Sequence, residues 1–125
     1  MSPFYGGLGA LLLALGVGMG AFGAHALRGR LDAYSMGVWE KAVFYHLIHA
    51  LGLLIVFLLA RTGAIPGPAG NRVGFLLTAG ILLFSGSLYV LALSGMRVLG
   101  AVTPLGGVAF LAAWLLLCVD LFRGR

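Results

Sequence analysis

The sequence predicts an all-α protein, a four-helix bundle integral to a membrane. Three observations predict it. The chain is 62% hydrophobic and only 9% charged, with a mean hydropathy of +1.11, whereas a soluble domain carries about 25% charged residues. Too few polar groups exist to dress a water-facing surface. Four apolar runs, each long enough for one crossing, are separated by three polar connections. The eight basic residues stand singly or in small groups near the ends of those runs, where Lys and Arg anchor helices at the headgroups. The 125 residues suffice for one domain, 1–125, with spans expected at about 4–27, 42–60, 73–94 and 98–121.

The net charge of +5 is therefore no nucleic-acid signal. No basic stripe interleaved with aromatics is present to track a polynucleotide. The expected partners are membrane lipids and a second copy of the chain. A single cysteine, Cys118, excludes an intramolecular disulfide and reads as a small buried hydrophobe.

The first run holds no Lys, Arg, Asp or Glu before Arg28. Its apolar body exceeds a signal-peptide core of roughly 7–15 residues and lacks the basic flank, so it reads as a retained span. Gly6, Ala10, Ala14 and Gly18 recur every fourth residue, as do Gly16, Gly20 and Ala24. Small residues at that spacing allow close helix approach in lipid. Gly16, Gly20 and Gly23 are thus candidate packing positions. Arg28 to Lys41 is the first polar connection, and it reads as a short interfacial helix running into the second span, with Tyr34 and Trp39 at headgroup depth.

The second span, Ala42 to Ala60, is closed by Arg61. Thr62 to Asn71, with Pro66, Gly67, Pro68 and Gly70, is the clearest loop. The third span opens after Arg72. Gly95-Met96-Arg97 is a very short turn, so the last two spans form an antiparallel hairpin. The fourth span has Pro104 near its start, which kinks the helix or occupies its first turn. Gly106 and Gly107 permit close approach there. Asp120, three residues before Arg123, reads as half of an interfacial ion pair.

Four spans put both termini on one side, here called side A; the opposite side is side B. His25, Tyr45, His46, His49, Ser85, Ser87, Tyr89 and Thr103 all fall in the side-B half, with Glu40 at its edge. His46 and His49 lie roughly 6 and 10 Å below Ala42 at 1.5 Å per residue. The side-A half offers mainly Thr78. Ionisable groups at membrane depth are costly and therefore functional candidates. The asymmetry predicts a polar pocket open toward side B, with His25 and His49 sharing it. Four readings fit such a pocket: hydrogen bonds that fix the bundle; a site for a small molecule, ion or lipid headgroup; metal or haem ligation by His25, His46 and His49 with Glu40; and a proton relay. No nucleophile elbow, H-E-x-x-H, phosphate loop or carboxylate pair occurs in the spans, so no catalytic residue, metal site or cofactor is assigned.

Four segments together, Gly20 to Leu27, Tyr45 to Leu51, Phe84 to Tyr89 and Thr103 to Gly107, resemble a YgdD-like family. These are small bacterial inner-membrane proteins of unknown function with a small transmembrane counterpart in animals. The resemblance covers nearly the whole chain and implies four transmembrane helices, residence in the cell inner membrane and no established activity. The family pattern often has Gln after the Tyr where this chain has His46, which weakens a three-histidine metal site. Basic residues do not set the orientation: Arg61, Arg72, Arg123 and Arg125 lie on side A, and Arg28, Arg30, Lys41 and Arg97 on side B. The resemblance implies termini in the cytoplasm.

Overall fold

The computed structural model describes residues 1–124, so Arg125 lies outside the described residues. The described residues form four long apolar helices and no strand. We label them α1 (Pro3–Leu27), α2 (Ala33–Arg61), α3 (Gly67–Ser94) and α4 (Thr103–Arg123). A 3-10 turn, Arg97–Ala101, leads into α4. The predicted class, an all-α membrane bundle, is the observed one.

The helix ends follow local chemistry. Pro3 occupies the first turn of α1, and the Ser2 hydroxyl caps it by accepting from the Phe4 N–H. Asp32 caps α2, its Oδ1 2.7 Å from the Ser35 nitrogen. That backbone bond, then the Ser35 hydroxyl, then Arg97 hold the Asp32 carboxyl below its ordinary range. With a lowered pKa, the cap is intact at neutral pH and is lost only as pH falls through that lowered value. The helix expected to run from the first connection into the second span is observed as the first two turns of α2. At the other end, the Ala64 N–H reaches back to Leu59 O (2.9 Å) and Gly63 adopts φ 82°, a left-handed closure that satisfies the last carbonyls.

Two prolines start helices for the same reason. Pro68 sits in the first turn of α3, where proline's missing donor costs nothing. The predicted loop therefore ends at Pro66 rather than Asn71. Pro104 likewise starts α4 and does not kink it. Gly95, with φ 71°, ends α3 and makes the short hairpin possible.

Helix α2 lies along α1 on one side and α3 on the other, and α4 lies along α3. The Ser2 N–H donates to Asn71 Oδ1 (3.0 Å), tying the start of α1 to the start of α3. The main apolar cluster fills the middle and the side-A half: Leu53, Val56, Ile65, Val73, Leu77, Phe110, Ala113 and Leu117 among others. Toward side B the core breaks into two small clusters, around Trp39 and around Leu88. Outer faces are Leu, Val and Phe exposed to the bilayer. Cys118 is exposed on the outer face of α4 rather than buried, because α4 has one main neighbour and most of its circumference meets lipid. The expected Asp120–Arg123 pairing does not engage Asp120 Oδ2, which is buried without a hydrogen-bond partner.

The glycines divide sharply by what surrounds them. A Cβ on Gly106 would strike the backbone nitrogen of Phe84 in α3, and one on Gly23 would strike the Trp39 indole. On Gly16 it would fall 2.6 Å from Leu47 Cδ2. Gly20 and Gly107 have looser neighbours, at 3.4 and 3.9 Å, and Gly18 has nothing within 4 Å. Gly106→Ala should therefore destabilise by about 1–3 kcal/mol, since backbone cannot yield to the added methyl. Gly18→Ala should be neutral or slightly stabilising, because alanine is the better helix former. Melting temperatures of the two variants in detergent check this contrast.

Candidate functional site

Three helical steps separate His46 from His49, which leaves the two side chains about 60° apart around the axis. That angle sends them to different neighbours. His46 turns toward α1 and α3, and His49 toward α4. Both are buried.

His46 Nε2 lies 2.7 Å from Leu12 O, and Nδ1 lies 2.8 Å from Tyr89 OH. A carbonyl oxygen only accepts, so Nε2 carries the proton. In the neutral ring Nδ1 is then the acceptor, and Tyr89 O–H donates to it. The Leu12 carbonyl points toward residue 16, four positions on, so the imidazole lies alongside Gly16. A Cβ there would fall 3.4 Å from His46 Cδ2, an ordinary contact, and much closer to Leu47 Cδ2, at 2.6 Å.

Further bonds of the same kind join each pair of helices that lie side by side. Trp39 Nε1–H donates to Met19 O (2.9 Å), linking α2 to α1. Ser85, fully buried, donates to Ala42 O (2.8 Å), linking α3 to α2. Ser87 Oγ stands 2.7 Å from Thr103 Oγ1, linking α3 to α4. Ser85 closes a π-helical turn, Ile81–Ser85, in the middle of α3; such turns recur at functional positions. Thr78 on side A only bonds within its own helix, to Gly74 O.

His49 is different. Its Nδ1 is 2.7 Å from Tyr45 O, so Nδ1 carries the proton and donates. In the neutral ring Nε2 is then a bare acceptor. It makes no hydrogen bond among the described residues, yet it is not sealed away. The one fully enclosed unpartnered side-chain oxygen or nitrogen among them is Asp120 Oδ2. Nε2 opens instead on a groove of about 480 Å³ between α2 and α4, lined by Tyr45, His49, Phe84, Pro104, Phe110 and Trp114, among others. The imidazole stacks on Phe110 with centroids 3.5 Å apart and planes at 12°. The Tyr45 ring lies parallel to His49, 5.8 Å away, and 4.4 Å from Phe84.

The expected single pocket is therefore two arrangements. His46, Ser85, Ser87, Tyr89 and Thr103 are engaged between helices; Tyr45 and His49 face a groove. His25 and Glu40 join neither. Both are exposed and make no hydrogen bond among the described residues, and His25 does not line the His49 groove. No three His, Cys, Asp or Glu groups among the described residues stand together as a metal-binding set. His46 has both nitrogens committed. Sequence reasoning missed Trp39 as an interhelical donor. It is 2% exposed and held inside the bundle. Its pairing with Gly23, a flat indole over a residue without a side chain, was the available signal. Phe110 and Trp114, one helical turn apart, were also missed.

Residues 19–107 match the family described as protein of unknown function (DUF423). The chain belongs to that family. A UPF0382 membrane protein of Staphylococcus haemolyticus is 50% identical over 116 residues, covering 93% of each chain. The UPF0382 membrane protein YwdK of Bacillus subtilis is 48% identical over 112 residues, 90% of each. One from Staphylococcus epidermidis is 51% identical over 112 residues, 90% of this chain and 89% of the relative. No solved structure matches. The expected kind of family, small bacterial membrane proteins of unknown function, is the observed one. The DUF423 match contains the whole interhelical set except Leu12, and both Tyr45 and His49, whereas Phe110 and Trp114 lie beyond it.

Tyr89→Phe should strand His46 Nδ1 in a dry interior, costing about 1–3 kcal/mol by the usual price of a buried unpaired group. Bundle-wide values in membranes average lower, about 0.6 kcal/mol, so the expected loss is near 1 kcal/mol. The double variant His46→Leu/Tyr89→Phe should lose less than the sum of the two single variants, because no acceptor is left unpaired. A double-mutant cycle by denaturation in mixed micelles measures the difference.

Proposed function

We propose that this protein binds a membrane-dissolved apolar molecule carrying a hydroxyl donor, in the groove between α2 and α4. One observation carries the reading: His49 Nε2, a lone acceptor without a partner among the described residues, faces an aromatic-lined space of about 480 Å³. A polar acceptor in hydrocarbon is costly unless it is used. The flat stack of Tyr45, His49 and Phe110 favours a planar ring, and the depth of His49 favours a hydroxyl carried well below the headgroups. The groove is lateral and apolar, so its occupant arrives through the lipid. For His46, Ser85, Ser87, Tyr89 and Thr103 a structural role is the better reading, since their partners are internal.

The reading includes a place in the cell. The resemblance to YgdD-like proteins implies the cell inner membrane, and helical spans support that, because outer-membrane proteins are barrels. The same resemblance puts both termini in the cytoplasm. Labelling of single cysteines placed at each terminus, in a Cys118→Ser background, should occur only from the cytoplasmic face.

The binding test uses 4-nonylphenol and its O-methyl ether, which differ only in the donor. The phenol should change Trp114 emission in nanodiscs and the ether should do so about 3–10-fold more weakly, the worth of one hydrogen bond. His49→Phe keeps the stack on Phe110 and should erase the difference between the two compounds. Equal responses to both in the native chain would reject the proposal.

A further inference from the structure

A second groove lies on the other flank of α2, between α1 and α2 at the side-B edge. Its volume is about 330 Å³. Gly20, Gly23 and Ala24 form one wall, and Val43, Phe44 and Leu47 the other, with Trp39 and Met36 between. Two charged residues stand at its outer end: Arg28 from the end of α1 and Glu40 from α2. Both are exposed, and neither makes a hydrogen bond among the described residues. Glu40 is one of only three acidic residues in the chain.

The arrangement has a definite polarity. The glycine wall is low because residues 20 and 23 have no side chains, which leaves a channel between the helices. From Glu40 to Leu47 the groove descends roughly 10 Å along α2, by helix rise, from headgroup depth into the hydrocarbon. Its inner part offers no donor or acceptor: the Trp39 N–H is already committed to Met19 O. The occupant must therefore be apolar along its length. Its outer end meets a guanidinium on one wall and a carboxylate on the other.

From that charge complementarity we infer that the α1–α2 groove is a binding site for an aminophospholipid of the bilayer. The headgroup carries a phosphate and a primary ammonium. Arg28 takes the phosphate, for which a guanidinium is well shaped. Glu40 accepts hydrogen bonds from the ammonium. One acyl chain lies along Gly20, Gly23 and Ala24. A choline headgroup has the same charges but no N–H to donate, so Glu40 distinguishes the two. An anionic glycerol headgroup satisfies Arg28 and is repelled by Glu40. The site is separate from the His49 groove, and its failure would leave that reading untouched.

Native mass spectrometry of the full chain, released from micelles with phosphatidylethanolamine, phosphatidylcholine and phosphatidylglycerol at equal mole fraction, tests the assignment. The ethanolamine lipid should be retained severalfold over the other two. Glu40→Gln should bring ethanolamine retention down to the choline level, and Arg28→Gln should lower retention of all three. Both variants should melt like the native protein, since neither side chain bonds within the bundle. Equal retention of ethanolamine and choline lipids, or a preference that survives Glu40→Gln, would overturn the assignment. So would efficient disulfide closure between two copies of an Ala24→Cys, Cys118→Ser chain in membranes, which would show a second protein filling the groove.

Discussion

A polar group carried into hydrocarbon must be satisfied by the protein itself, because no water is there to do it. Much of this structure follows from that constraint. Each pair of side-by-side helices is joined, in the side-B half, by a side chain that reaches across to its neighbour. Three of the bonds end on main-chain carbonyls: Leu12, Met19 and Ala42. A carbonyl already engaged in its own helix has a second lone pair to offer. Such bonds add strength without opening the helix that supplies the acceptor.

Their energy alone would not hold the bundle. Interhelical bonds in membranes are worth about 0.6 kcal/mol on average, and lipid tails compete equally for apolar faces. Close backbone approach supplies the rest, which is why Gly106 sits against the Phe84 backbone and Gly23 under the Trp39 ring. The two devices work together. Gly16 lets α1 settle against Leu47 beside the His46 ring, and bonds such as His46 to Leu12 O fix which faces stay together. Against this economy His49 stands out: it has the same chemistry as His46, one turn away, and one nitrogen left over.

The sequence was most legible where charge and length decide. Gaps between charged residues mark the four spans, and the clustering of His, Tyr and Ser toward side B is visible as soon as the topology is counted. It was least legible where identical letters meet different surroundings. Gly18 and Gly106 read alike, yet one faces lipid and the other a backbone. His46 and His49 read as a pair, yet about 60° of rotation assigns them to different interfaces. Acceptors such as Leu12 O have no side-chain signature at all. Pro68 was ambiguous because a first helical turn and a loop tolerate proline equally, and Pro104 because a proline near a helix start can either kink the helix or open it.

The π-helical turn in α3 adds a residue to the helix without adding a turn. It therefore sets the phase of everything that follows, including Ser87 and Tyr89. Wound as unbroken α-helix without that wide turn, the same residues would carry the rest of α3 round by about 100°. Both hydroxyls would turn from their partners while length, charge and hydropathy stay the same. Two chains of this kind with indistinguishable hydropathy profiles can thus differ in whether their helices are latched, and aligning them calls for counting residues between Gly80 and Gly86 before comparing any side chain.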